Sequence, residues 1–87
     1  MSYKIIYEKG SKKYLEKLSG KIYRSITAAI ENLAEDPRPF GIVELKPYAN
    51  VYRIRKGDYR IVYEVKDDIL LILVLDIGSR GQIYDNY

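Results

Sequence analysis

The chain is predicted to adopt an α+β fold: an N-terminal strand, a two-helix hairpin, then a mainly antiparallel four-strand meander with the helices packed on one sheet face. Three features of the sequence lead to this. Apolar residues recur with a period of two over residues 3–7, at helical spacing between Tyr14 and Leu33, and with a period of two again from Phe40 onward. The later strand segments are separated by two-residue loops, Gly57-Asp58 and Asp67-Asp68, the spacing of hairpins. Helices grouped ahead of a run of strands segregate to one side of an antiparallel sheet.

Taken in order, Tyr3, Ile5 and Tyr7 alternate with Lys4, Ile6 and Glu8, the pattern of a half-buried strand. Ser11 is read as the N-cap of a first helix whose apolar positions are Tyr14, Leu15 and Leu18, and Ser19-Gly20 interrupts it. The second helix carries the stripe Ile22, Ile26, Ala29, Ile30 and Leu33 and is stopped by Asp36-Pro37 and Pro39. A short strand is expected around residues 42–45, ended by Lys46-Pro47. Strands follow at residues 51–56, 59–66 and 69–76. Gly57 can supply the positive φ that a type II′ turn needs at its first loop position. The run from Ile69 to Leu75 has no polar alternation, which places that strand in the middle of the sheet with both faces covered.

With 87 residues, 47% of them apolar, the chain has room for a single domain, residues 1–87, built on one modest core. Cysteine and histidine are both absent. That removes disulfides, thiolate metal sites and every catalytic scheme built on an imidazole base, and leaves Tyr, Lys and carboxylates as acid/base groups. Neither a metal nor a cofactor is expected. No apolar run reaches membrane-spanning length, and the N-terminus leads into an amphipathic strand, so a cytoplasmic protein without membrane partners is expected. The net charge of +3 is mild, and its distribution is more telling. Between Lys46 and Arg60 five basic residues (Lys46, Arg53, Arg55, Lys56, Arg60) face the single acid Asp58. A second basic segment, from Lys9 to Arg24, is read as the solvated face of the helices.

A Gly57-Asp58 loop fixes the hairpin register: Lys56 opposes Tyr59, Arg55 opposes Arg60, Ile54 opposes Ile61 and Arg53 opposes Val62. Strand alternation then gathers Arg53, Arg55 and Arg60 on one face and Tyr52, Ile54, Ile61 and Tyr63 on the other. Like charges directly opposite one another destabilise a sheet by up to roughly 1 kcal/mol. A face that keeps Arg55 against Arg60 therefore points to an anionic ligand, and the planar donors of arginine match phosphate oxygens.

Leu45-Lys46 followed by Tyr52-Arg53-Ile54-Arg55-Lys56-Gly57-Asp58-Tyr59-Arg60-Ile61-Val62-Tyr63 resembles the core signature of RelE-type toxins of the RelE/ParE superfamily. The closing Ile77-Gly78-Ser79-Arg80 with Ile83-Tyr84 resembles that family's C-terminal segment, so the likeness spans nearly the whole chain. It implies a ribosome-dependent mRNA endonuclease, the toxin of a type II toxin–antitoxin pair, with mRNA, the ribosome and a cognate antitoxin as partners and no small-molecule ligand. Cleavage would proceed in the ribosomal A site by metal-independent attack of a ribose 2′-hydroxyl on the adjacent phosphate. The resemblance implies catalytic roles for Arg60, Arg80 and Tyr84, and RNA-binding roles for Arg53, Arg55, Lys46 and Lys56. Arginine stands at positions 53 and 55 where well-studied nucleases of the family often carry lysine. Two other functions belong to the same fold family: a ParE-like inhibitor of DNA gyrase, and a catalytically weak relative that acts only as an antitoxin-binding module.

Overall fold

The computed structural model describes residues 2–79. Strand β1 (Lys4–Tyr7) leads into helices α1 (Lys9–Lys17) and α2 (Gly20–Asn32), and strands β2 (Val43–Glu44), β3 (Val51–Lys56), β4 (Tyr59–Lys66) and β5 (Leu71–Ser79) follow. The strands form one sheet in the order β1-β5-β4-β3-β2. β2 to β5 make the antiparallel meander, and β1 joins its far side by pairing parallel with β5, Lys4 in register with Leu71. Period-two patterning cannot distinguish parallel from antiparallel pairing, so the parallel union of the first and last described strands is visible only in the structure.

One face of the sheet carries the core. Leu15, Ile26, Ala29, Ile30 and Leu33 of the helices pack on Tyr52, Ile61, Tyr63, Val65, Ile72, Val74 and Ile77, with Ile5 and Tyr7 of β1 at the margin. The expected stripe of α2 is buried except at its start. Ile22 is 44% exposed, because the first turn of α2 lies beside the tip of the β3–β4 hairpin, where the two line an open cleft.

α1 starts earlier than expected. Glu8, with extended backbone, holds the cap position, and Ser11 is a buried residue of the helix. Its hydroxyl donates to the carbonyls of Glu8 at 2.8 Å and Val74 at 3.0 Å, tying α1 to β5. The Val74 carbonyl also accepts from the Glu8 N–H, so removing the hydroxyl leaves no acceptor stranded. Ser11→Ala is expected to lower stability by about 1 kcal/mol. Ser11→Asp, which would improve a true cap, is expected to destabilise more, because a carboxylate would be buried without a counter-charge. Urea midpoints of the two variants check this; a stabilised Ser11→Asp would restore the cap assignment.

The β4–β5 connection is a correction. In place of a two-residue hairpin, Asp67–Ile69 forms a single 3₁₀ turn, Leu70 takes a left-handed conformation at φ 51°, and β5 runs from Leu71 to Ser79. The cause is tertiary. Arg38, in the loop after α2, donates to both carboxylate oxygens of Asp67 at 3.1 and 2.8 Å, and the Tyr3 hydroxyl donates to the same group at 2.6 Å. The Arg38 bonds, with Tyr3 second, hold the Asp67 carboxyl down at about 2. Arg38 also donates to the Tyr52 hydroxyl, and the buried Tyr63 hydroxyl donates to the Pro37 carbonyl. Together these bonds strap the post-helix loop across the end of the sheet. Burial of Tyr63 raises its pKa above the ordinary phenol range.

β5 is internal, as its apolar run suggests, but its two faces differ. Ile72, Val74 and Ile77 are buried under the helices, whereas Leu71, Leu73 and Leu75 on the opposite face are half-buried. Among the described residues no helix is long and apolar enough to cross a membrane.

Candidate nucleic-acid interface

The β3–β4 hairpin has the register its loop dictates, with Lys56 opposite Tyr59, Arg55 opposite Arg60, Ile54 opposite Ile61 and Arg53 opposite Val62. Gly57 stands at φ 59° while Asp58 keeps an ordinary φ. That combination is the type II′ geometry, whose twist suits the flanking strands.

Arg53, Arg55 and Arg60 share the face turned away from the helices. Beside them Val51 and Val62 form a small second apolar cluster with Leu45 and Leu75. The three cations are graded in exposure. Arg55 is exposed, Arg53 is half-buried, and Arg60 is only 2% exposed. Arg60 lies on an internal strand between Arg55 of β3 and Gly78 of β5, and Gly78 contributes no side chain to that face. With Gly57 and Asp58 the two opposed arginines line a recess of about 20 Å³. A guanidinium shielded from water interacts more strongly with an anion than an exposed one.

The pairing of β4 with β5 is irregular where it passes this patch. Val62 opposes Asp76 and Tyr63 opposes Val74, so Leu75 is an extra residue and the strand bulges. A bulge of this kind turns two consecutive side chains toward one face. Leu75 therefore packs with Val62 while Asp76, opposite Val62 itself, also joins the arginine face. Beyond the bulge Ile77 returns to the core. Asp76 is half-buried; desolvation raises its pKa above the ordinary carboxylate value, an effect partly offset by a hydrogen bond from the Ile77 N–H. The sequence reading did not single out Asp76. The available signal was that it is the one polar residue interrupting the apolar run from Ile69 to Ile77.

The other expected site residues are placed as follows. Lys56 alternates to the helix side of the hairpin, where it lines a cleft of about 290 Å³ with Lys21, Ser25 and Tyr59. Lys46 is well exposed in the loop after β2, 4.0 Å from Glu44. It lies beyond the end of β3 farthest from Gly57, so the structure does not bring it to the Arg55–Arg60 pair. Arg80 and Tyr84 lie outside the described residues. Among the described residues no group of three or more His, Cys, Asp or Glu is placed to hold a metal. What is assembled is a pleated basic face with a desolvated guanidinium at its centre and a half-buried carboxylate beside it. This set can bind a phosphodiester, stabilise charge on it and exchange a proton with a neighbouring hydroxyl.

Comparison with known proteins places this chain within a family. The profile of the ParE toxin of the type II toxin–antitoxin system parDE matches residues 5–84. Toxin RelE3 of Methanocaldococcus jannaschii is 35% identical, with 97% of this chain and 98% of the relative covered. Among solved structures, the archaeal RelE–RelB complex from Pyrococcus horikoshii OT3 superposes with a TM-score of 0.81 at 30% identity, covering 94% of this chain and 99% of the other. The intact E. coli RelBE toxin–antitoxin complex gives the same TM-score at 22% identity, covering 93% and 100%, a likeness of fold. A match over nearly the whole chain, with relatives of the same length, makes this protein a toxin of the RelE/ParE superfamily of type II toxin–antitoxin systems.

Proposed function

We propose that the protein is a ribosome-dependent mRNA endonuclease, kept silent by a cognate antitoxin and acting in the cytoplasm. The observation that carries this reading is the graded arginine face. Arg53 and Arg55 hold the sugar–phosphate backbone, and the buried Arg60 contacts the scissile phosphate and neutralises charge that develops on it. Arg80 and Tyr84 complete the set, Arg80 as a second phosphate donor and Tyr84 as an acid/base group or a stacking surface. Lys46 and Lys56 extend the basic surface toward flanking RNA. The reading is further supported by the names of the relatives, and the two solved relatives described above are complexes of a toxin with its antitoxin. A second reading, inhibition of DNA gyrase, is favoured by one observation: the matching family profile carries the ParE name.

Expression without antitoxin separates the two. Growth arrest with primer-extension stops inside translated codons is expected of the nuclease. Intact mRNA accompanied by gyrase-dependent DNA damage would replace it with the second reading.

A further inference from the structure

A nuclease that uses the 2′-hydroxyl must remove its proton, and among the described residues the arginine face, which Lys46 and Lys56 do not join, offers few groups for the task. The chain has no histidine, and Arg53, Arg55 and Arg60 do not release their protons at physiological pH. Asp58 lies in the exposed hairpin loop, and Glu64 sits 3.4 Å from Lys66. The geometry points to Asp76 as the general base: the bulge at Leu75–Asp76 sets its carboxylate on the arginine face, one diagonal step across the sheet from the buried Arg60. This assignment rests on the nuclease reading above.

The ladder gives the placement. Arg60 opposes Gly78 and Val62 opposes Asp76, so Arg60 and Asp76 are diagonal neighbours on one face, with Cα atoms roughly 7–8 Å apart. A phosphodiester seated on this face would meet both groups. The bulge itself is a second argument. Regular alternation through Val74 would turn Asp76 into the core, and the extra residue Leu75 re-phases the strand so that it does not. The charged groups that the described strands place on the same face are Arg60, Glu64 and Lys66 of β4, Arg53 and Arg55 of β3, and Lys4 of β1, which pairs with Leu71; α1 packs on the opposite face. Burial makes the carboxylate a stronger base than a solvated one.

In the step assigned to it, Asp76 takes the 2′-hydroxyl proton as the 2′ oxygen bonds to phosphorus. The bond from phosphorus to the 5′ oxygen breaks, and that oxygen leaves with the electron pair and takes a proton from water. The hydroxide so formed recovers the proton from Asp76. The products are a 2′,3′-cyclic phosphate and a 5′-hydroxyl, and Arg60 stabilises the phosphorane between them.

The test is single-turnover cleavage on mRNA-programmed ribosomes from acid to alkaline pH for the wild type, Asp76→Asn and Asp76→Glu, with ribosome binding and melting temperature measured alongside. Asp76→Asn is expected to slow cleavage roughly a hundredfold or more, to lose the acid limb of the pH profile and to bind ribosomes as the wild type does. Asp76→Glu is expected to recover part of the rate with a displaced acid limb. The Asp76→Asn protein should melt no lower than the wild type. A folded-state pKa raised above the unfolded value means that the ionised form costs stability at pH values above it, and an amide removes that cost. An Asp76→Asn protein with wild-type rate and pH profile would overturn the assignment while leaving the nuclease intact. A wild-type protein that cuts no mRNA would overturn both. If Asp76→Asn unfolds, Asp76→Ser takes its place under the same two criteria.

Discussion

Arg60→Lys is expected to lower the cleavage rate on stalled ribosomes by about 10²–10³-fold, the loss typical of removing one preorganised donor from a developing oxyanion. Lysine keeps the charge but not the planar fork that makes two parallel bonds to a phosphate. Arg53→Lys and Arg55→Lys, at half-buried and exposed positions, are expected to stay within a few-fold of the wild type. Because Arg60 is only 2% exposed, its replacement also disturbs packing. A loss of about 1 kcal/mol would lower the melting temperature by roughly 4–8 °C in a domain of this size. Rates are therefore compared well below each variant's midpoint. Equal rates for the three lysine variants would reduce the patch to a diffuse basic surface.

Ile30→Ala is expected to remove about 2–5 kcal/mol of folding free energy, a large share of the roughly 5–15 kcal/mol that holds a small domain together. Ile30 is fully buried, at 0% exposure, in the seam between α2 and the sheet. Ile22 belongs to the same apolar stripe but is 44% exposed. Ile22→Ala is expected to change stability by no more than about 0.5 kcal/mol. Urea denaturation of the pair checks the rotational setting of α2. Similar losses for both would mean that the helix presents a different face to the sheet.

The parts of this fold that were legible in the sequence are those decided by neighbours along the chain. A two-residue loop starting with glycine admits one register, so the positions of Arg53, Arg55 and Arg60 followed from it directly. The Asp67–Ile69 turn was not legible, because its shape depends on Arg38 and Tyr3, partners that are local to nothing in that segment. Ser11 has the composition of a cap, yet its hydroxyl is used across the fold at Val74. The bulge was hidden for another reason. An unbroken apolar run carries no phase, so nothing between Ile69 and Leu75 reveals where the strand slips by one residue. Asp76 therefore looks in the sequence like the end of a strand, whereas the bulge makes it the point at which the strand turns a polar group onto the arginine face.

The pairing of β1 with β5 has a consequence for how the protein comes into being. Among the described residues β1 finds its ladder partner in residues 71–74, so the sheet cannot close until that distant segment is in place. Contacts of such long sequence separation form late and slowly. Until β1 docks, β5 is an open strand edge on the β2–β5 meander, and an unpaired edge of that kind is where a wrong partner can add on.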